Sequence, residues 1–277
     1  MKPVDFRFTQ PATLAEATQM LRDTNEEIKI MSGGQSLGPM LNLRLARPEK
    51  IVSVSGLSEL REVNQGKDFI EFGAALRHAE FEDGALLEPI SGMMRHVASG
   101  IAYRAVRNRG TIGGSLCHAD PAADWITALT ALGASVRIVS AQGDTRDIDM
   151  TRFMHGAYRT EVNSDEILKS VILPRYSSSA VWGYYKTCRK VGEFADAIAA
   201  WVADREKRYS RVVFGSTAGA PIVSVLLGRQ IAVTGEVPSN EVIKAELARL
   251  APDLDPVKQH LLTVSLQRCT KQALNHD

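Results

Sequence analysis

The spacing of apolar residues over positions 1–56 predicts a small α/β unit. Leu14, Ala17 and Leu21 recur at helical spacing. Thr13 and Glu16, three residues apart at the start of this helix, have the spacing of a capping box. Short β-prone runs lie on either side of this helix, which should end near residue 25. The predicted strands are 6–8, 28–31 and 50–54.

Strand patterns dominate from residue 57 onwards, where we expect a second, mainly antiparallel layer. The alternation in Phe69–Gly73 predicts a strand. Apolar spacing compatible with a helix covers Gly84–Ile101, and a buried helix is expected over Asp124–Leu132. Further strands are predicted over 135–140 and 167–173.

A boundary is predicted at residues 174–179, where one proline and three serines interrupt the periodic signal. The runs beyond it are typical of a three-stranded antiparallel sheet over 182–187, 195–203 and 211–214. Two helices should follow, over 238–250 with Ser239 as N-cap and over 256–273. The expected fold class is therefore α+β.

Composition and charge exclude several classes of protein. Of 277 residues, 44% are apolar and 23% charged, which is ordinary for a globular chain. The net charge of +1 gives no overall field that would favour nucleic acid or anionic lipid. No apolar run reaches the roughly 20 residues of a spanning helix, and residues 1–5 lack the apolar core of a signal peptide. We expect a cytoplasmic protein that has no membrane span and does not bind nucleic acid.

The cysteines argue against a metal centre in this chain. Cys117, Cys188 and Cys269 lie far apart and form no C-x-x-C pair. Zinc and iron–sulfur sites need several thiolates close together, and a disulfide framework needs an even number of cysteines at regular spacing. Any redox metal is therefore expected on another subunit.

Two glycine pairs carry the clearest chemical signal. Gly33-Gly34 and Gly113-Gly114 each follow a β-prone stretch and precede a small polar residue. Glycine lets a backbone approach a pyrophosphate closely and present several amide donors to it. The alternative interpretation is that each pair forms only a tight turn. Neither G-x-G-x-x-G nor a P-loop motif is present, so a Rossmann or P-loop nucleotide site is not predicted.

Around these glycines the sequence resembles the FAD-binding medium subunits of molybdenum hydroxylases. The resemblance rests on MSGGQSLGP at 31–39 with LRLARP at 43–48, and on TIGGSL at 111–116 with HADPAAD at 118–124. Either motif alone is weak, whereas the two at this separation are specific. The family includes carbon monoxide dehydrogenase medium subunits and the FAD domain of xanthine dehydrogenase, and the resemblance covers essentially the whole chain.

The resemblance implies an FAD-binding domain of the vanillyl-alcohol-oxidase (PCMH) type over 1–176, with two α/β subdomains at about 1–56 and 57–176. A C-terminal domain over 177–277 would cover the cofactor. The resemblance also implies noncovalent FAD bound by Ile30, Met31, Ser32, Gly33, Gly34, Gln35, Ser36, Leu37, Ile101, Thr111, Ile112, Gly113, Gly114, Ser115, Asp124, Leu168 and Lys186.

Three of these positions have individual roles by resemblance. Asp124 corresponds to an acid near the ribityl chain, although an acid at a helix start is also favoured by the helix dipole alone. Ile101 corresponds to an apolar neighbour of the ring. Lys186 corresponds to a lysine near the isoalloxazine, where a cation would stabilise the reduced ring; the alternative is a solvated charge on a strand edge. A covalent flavin link through Cys117 or His118 is not expected.

The resemblance implies an electron-transfer subunit of a larger complex. A large subunit would carry the molybdopterin cofactor, a small one two [2Fe–2S] clusters, and FAD here would pass electrons to an external acceptor, with the complex a dimer of heterotrimers. Two alternatives remain open: a free-standing flavin oxidoreductase, and a nonenzymatic scaffold whose glycines are only turns. The sequence identifies neither the organic substrate nor the acceptor.

Overall fold

A parallel sheet with two short helices forms the beginning of the chain. The computed structural model describes residues 2–22 and 25–275. Its first elements are β1 (Arg7–Thr9), α1 (Leu14–Gln19), β2 (Ile28–Met31), α2 (Leu37–Asn42) and β3 (Lys50–Ser53). Strand β3 lies between β1 and β2 and runs parallel to both. The predicted cap of α1 is confirmed, since Thr13 Oγ1 accepts a hydrogen bond of 3.1 Å from the Glu16 amide.

The second part is built on an antiparallel sheet of five strands in the order β4-β5-β10-β6-β7. Helix α6 packs against β10 of this sheet, whereas α7 packs against β12 (Ala197–Asp204) and β13 (Tyr209–Gly215) of the third sheet. Strands β8 and β9 form a separate small hairpin. The elements are β4 (Val63–Gln65), β5 (Phe69–Gly73), α3 (His78–Glu82), α4 (Met93–Ser99), α5 (Arg104–Arg107), α6 (Ile112–His118), α7 (Asp124–Ala131), β6 (Ser135–Ser140), β7 (Thr145–Asp149), α8 (Met150–Phe153), β8 (Met154–Gly156), β9 (Arg159–Thr160) and β10 (Glu166–Pro174).

A third sheet and three helices complete the chain. The elements are β11 (Val181–Thr187), β12 (Ala197–Asp204), β13 (Tyr209–Gly215), β14 (Ile222–Ser224), α9 (Val225–Thr234), α10 (Asn240–Leu250) and α11 (Pro256–Leu274). The four strands are antiparallel in sequence order.

The central strand β12 is buried on both faces. Ile198, Ala200 and Val202 belong to the same hydrophobic core as α7, whereas alternate residues such as Ala199 and Trp201 belong to a second core with α9, α10 and α11. Because side chains alternate between the faces of a strand, one strand contributes to both cores. The third sheet therefore lies between α7 on one face and the helices α9, α10 and α11 on the other.

Helix α7 is buried along its whole length, and side chains from later in the chain satisfy its C-terminal carbonyl groups. The carbonyl oxygens of residues 130–132 accept hydrogen bonds, in order, from Arg211 at 2.7 Å, Tyr209 at 2.5 Å and Tyr176 at 2.8 Å. The last carbonyls of a helix have no partner within the helix, so a buried end needs such donors. The third sheet and the segment before it therefore hold this helix in place.

The structure corrects two predictions for the C-terminal part. Its sheet has four strands rather than three. The fourth strand, β14, follows Pro221 and was not predicted because three residues are too few to show a period. Helix α9 was not predicted. Gly228 lowers its helix propensity, but the glycine lets the helix approach β13, where a Cβ at this position would lie 2.9 Å from the Arg211 amide nitrogen.

Two further predictions fail before residue 121. The helix expected over Gly84–Ile101 is confined to α4, because Pro89 disfavours helical backbone at the residue before it, and Leu87 is exposed. The second glycine pair lies in the first turn of α6 rather than in a loop. The Thr111 side chain caps this turn and outweighs the poor helix propensity of glycine. All the predicted strands are confirmed to within two residues.

Gly215→Ala should destabilise the fold. A Cβ at Gly215 in β13 would lie 1.8 Å from the Thr127 Oγ1 of α7, so we expect the free energy of unfolding to fall by about 1–3 kcal/mol. The measurement is urea unfolding followed by circular dichroism. Gly156→Ala is the matched control, since no atom lies within 4 Å of a Cβ there. Equal stabilities for the two variants would contradict the packing described here.

Candidate functional site

The first glycine loop, Ser32–Ser36, connects β2 to α2 at the carboxyl edge of the parallel sheet. Gly34 has a φ of +71°, in the left-handed region that favours glycine. Among the residues that the structure describes, the amide groups from Gly33 to Ser36 have no hydrogen-bond acceptor. Successive unpaired amides beside a left-handed residue are typical of an anion-binding nest. This loop therefore has the donors that a diphosphate needs.

The second glycine segment, Thr111–Ser115, is the N-cap and first turn of α6, and it is called the second loop below. It differs from the first loop because its amides donate to acceptors within the protein. The Gly113 amide donates to Ala74 O at 2.9 Å, and the Gly114 amide donates to Thr111 Oγ1 at 3.1 Å. The Ser115 amide donates to Thr111 O at 3.0 Å. Hydrogen bonds within the chain therefore occupy these three amides, unlike those of the first loop.

The two loops contact each other. Thr111 Oγ1 donates a hydrogen bond to Ser32 Oγ at 3.0 Å. A Cβ at Gly33 would lie 2.1 Å from the carbonyl oxygen of Arg109, and one at Gly113 would lie 2.5 Å from the Ala74 Cβ. Neither glycine has a positive φ. Close approach of backbone to backbone is therefore the reason for glycine at these two positions.

Asp124, Tyr184 and Lys186 form a buried polar cluster at the start of α7. Lys186 Nζ lies 3.0 Å from Asp124 Oδ1 and 2.8 Å from the Gly100 carbonyl oxygen, and the Tyr184 hydroxyl donates to Asp124 Oδ1 at 2.7 Å. Burial raises the pKa of Asp124, while Lys186 and Tyr184 oppose that rise. The Lys186 side chain is 10% exposed, so its interpretation as a solvated edge charge is wrong.

A strained turn next to this cluster positions Ile101. Arg107 donates hydrogen bonds to the carbonyl oxygens of Ile101 at 2.9 Å and Ala102 at 2.8 Å, and its charge is paired with Glu82 at 2.7 Å. Ala102 has a φ of +43°, and a Cβ at Gly192 would lie 2.4 Å from its carbonyl oxygen. Ile101 also forms a parallel bridge with Gly192. The turn therefore meets the segment that follows β11.

His78 supports the second loop from behind. Its Nδ1 accepts a hydrogen bond of 3.0 Å from the Trp125 indole, which leaves the proton of the neutral ring on Nε2. A Cβ at Gly110, just before the loop, would lie 2.9 Å from that nitrogen. Burial and, secondarily, the charge of Arg107 lower the pKa of His78 to about 4. The ring is therefore a neutral packing element.

The structure brings the sequence-predicted residues together in two groups and leaves one apart. The first group consists of the two loops and their edges, Ile30, Met31, Ser32, Gly33, Gly34, Gln35, Ser36, Leu37, Thr111, Ile112, Gly113, Gly114 and Ser115. The second consists of Asp124 and Lys186, with Ile101 following the carbonyl that Lys186 binds. Leu168 lies on β10 and is buried in the core.

Sequence reasoning missed Tyr184, Arg107 and His78. Tyr184 precedes Lys186 by two residues, so strand alternation places both on one face of β11 and was a usable signal. The pairing of Arg107 with Glu82 spans 25 positions and that of His78 with Trp125 spans 47, so neither left a local pattern. Within residues 2–22 and 25–275, no group of three or more histidine, cysteine or acidic side chains is arranged to bind a metal. No helix in those ranges is long and apolar enough to cross a membrane.

Comparisons with known proteins agree on one family. The family profile described as the FAD binding domain in molybdopterin dehydrogenase matches residues 4–176. Caffeine dehydrogenase subunit beta of Pseudomonas sp. (strain CBB1) is 32% identical over 80% of this chain and 76% of its own length. The nicotine 6-hydroxylase medium subunit of Paenarthrobacter nicotinovorans is 34% identical over 79% and 77%. A chain of quinoline 2-oxidoreductase from Pseudomonas putida 86 superposes with a TM-score of 0.86 at 28% identity, covering 99% of both chains.

Gly33→Ala and Gly113→Ala should each prevent FAD binding. A Cβ at Gly33 would collide with the Arg109 backbone and one at Gly113 with Ala74, so the backbone of each loop must move, and we expect at least a tenfold loss of FAD affinity. The measurement is the flavin content of the purified protein at equal expression. Gly56→Ala is the control, because no atom lies within 4 Å of its Cβ position. Normal flavin content in both loop variants would show that FAD binding does not depend on these two glycines.

The low pKa of His78 predicts a pH-dependent stability. In the unfolded chain His78 binds a proton below about pH 6.5, whereas in the folded chain it does so only near pH 4. The free energy of unfolding should therefore fall as the pH drops from about 6.5 to about 4, by at most about 3 kcal/mol. Urea unfolding of wild type and His78→Asn at pH 7 and 5 measures the difference. His260→Asn, at an exposed position on α11, should keep the wild-type dependence. An unchanged dependence in His78→Asn would exclude His78 as its source.

Proposed function

We propose a function from the family to which this chain belongs, the FAD-binding domains of molybdopterin dehydrogenases. The chain is proposed to be the FAD-carrying electron-transfer subunit of a molybdenum-containing hydroxylase or dehydrogenase. It is an oxidoreductase subunit, and hydroxylation of the organic substrate takes place on a partner subunit. The observation that carries the proposal is the run of unpaired amides from Gly33 to Ser36, placed directly against the second loop.

The residues present fit FAD at the positions proposed from the sequence. The first loop supplies amide donors for the diphosphate, while Ser36 and Ser115 add hydroxyl groups without adding charge. Asp124 has carboxylate oxygens that can accept hydrogen bonds from ribityl hydroxyl groups. When bound, FAD supplies a redox centre that accepts electrons singly and passes them on in pairs.

Lys186 and Ile101 are proposed to face the ring. Lys186 is fixed by two acceptors, Asp124 and the Gly100 carbonyl. Its side chain is therefore already ordered, and FAD binding does not have to reduce its conformational entropy. Ile101 supplies an apolar surface that excludes water. The remaining proposed residues are expected to shape the site through the position of their backbone or through packing. Leu168 belongs to the packing group, since it is buried in the core.

We further propose that residues 1–176 form the FAD-binding domain, with subdomains at about 1–56 and 57–176, and that 177–277 form the C-terminal domain. The separate sheets and the extent of the family match support this division. The proposed partners are a large molybdopterin subunit and a small subunit with [2Fe–2S] clusters, in a cytoplasmic dimer of heterotrimers that delivers electrons to an external acceptor.

The test is to purify the chain with the subunits encoded beside its gene and to quantify bound flavin. We expect about one FAD per chain, released intact by acid, and loss of electron delivery to a dye acceptor when FAD is removed. A folded complex that takes up no added FAD would overturn the proposal. A monomeric flavoprotein that turns over a small organic substrate unaided would favour the free-standing oxidoreductase.

A further inference from the structure

Tyr184 occupies a central position in the buried cluster, yet neither the sequence motifs nor the proposed function gives it a role. Its side chain lies on β11 and is 4% exposed. Its hydroxyl donates to Asp124 Oδ1 at 2.7 Å, a short contact of the kind expected for a donor to a charged acceptor. Burial, followed by the charge of Asp124, raises the pKa of Tyr184 well above its ordinary value, so the phenol keeps its proton and remains a donor.

The Asp124 carboxylate depends on the donors around it. Its side chain is 7% exposed, so water does little to stabilise its charge. Lys186 contacts both of its oxygens, at 3.0 and 3.1 Å, but Lys186 also donates to the Gly100 carbonyl. Tyr184 is the second side chain that donates to Asp124 among the described residues. The two donors approach from β11 and leave other lone pairs of the carboxylate available.

We infer that Tyr184 is a positioning residue, which holds the Asp124 carboxylate ionised and in one orientation so that it can accept hydrogen bonds from the ribityl hydroxyl groups of FAD. This inference rests on the proposed function. Tyr184 acts through Asp124 and requires no contact with the cofactor. A protonated or rotated Asp124 would lose at least one acceptor site for those hydroxyl groups.

The sign of the pH effect follows from this arrangement. Burial raises the pKa of Asp124, and Tyr184 is one of the groups that hold it down. Without the hydroxyl, Asp124 takes up a proton at a higher pH. If FAD binds the ionised form, affinity decreases below the pKa of the unliganded site. FAD should therefore be lost at a higher pH in Tyr184→Phe than in wild type.

Other titratable groups surround the cluster and define the controls. The His96 ring on α4 stands edge-on to the Tyr184 ring at 6.1 Å. The thiol groups of Cys188 and Cys269 also lie near Tyr184, and burial raises the pKa of Cys269. His96 is therefore the neighbouring histidine for which a control variant is needed.

Tyr184→Phe and Tyr185→Phe form a matched pair. Tyr185 is the next residue of β11 and points to the opposite face, where its hydroxyl interacts with Arg268. Each variant removes one hydroxyl group from the same strand. Release of FAD from the assembled complex is followed by flavin fluorescence between pH 8 and 4.5, with His96→Asn measured in parallel and folding checked by circular dichroism.

We expect Tyr184→Phe to bind FAD roughly tenfold more weakly, and its release midpoint to move up by about one pH unit. Tyr185→Phe and His96→Asn should retain the wild-type midpoint. In an Asp124→Asn background, Tyr184→Phe should no longer move the midpoint, because no titrating carboxylate remains. A persistent shift in that background, or equal midpoints for Tyr184→Phe and Tyr185→Phe, would overturn the inference. A wild-type complex without FAD would instead overturn the proposed function.

Discussion

Helix α7 must satisfy the polar groups at its two ends without water, and much of the structure follows from this requirement. All eight of its residues are buried. Donors on β11 hold the carboxylate at its start, while Arg211, Tyr209 and Tyr176 hold the carbonyl groups at its end. The third sheet is thereby fixed against α7. The acid proposed to bind the cofactor is thus positioned by strands that come much later in the chain.

The two glycine loops show that one residue type serves two physical purposes. Gly34 adopts a backbone conformation that side chains disfavour, whereas Gly33 and Gly113 are needed because their neighbours leave no space for a Cβ. Only the first loop keeps its amides unpaired. The two similar motifs therefore differ in structure: the first has free amide groups, and the second contacts it through the hydrogen bond between Thr111 and Ser32.

The sequence was sufficient for nine strands, although not for β4, β7, β8, β9 and β14. It was also sufficient for helices with strong caps such as α10 and α11, and for the family. It was insufficient wherever tertiary contacts override local preference. Gly228 and the Gly113-Gly114 pair lie in helices despite their low propensity, because packing and a threonine cap compensate. The contact of Tyr184 with Asp124 spans sixty positions of sequence. No periodicity in the chain reports that kind of proximity.

The two-sided burial of β12 bears on how the molecule unfolds. Its alternate residues complete two hydrophobic cores, so neither core can lose its order while the other keeps that strand in register. The C-terminal region is consequently expected to melt in the same cooperative transition as the region before it. A gene divided near codon 176 would yield two fragments, each exposing one face of an incomplete interior, and both would depend on co-expression to become soluble.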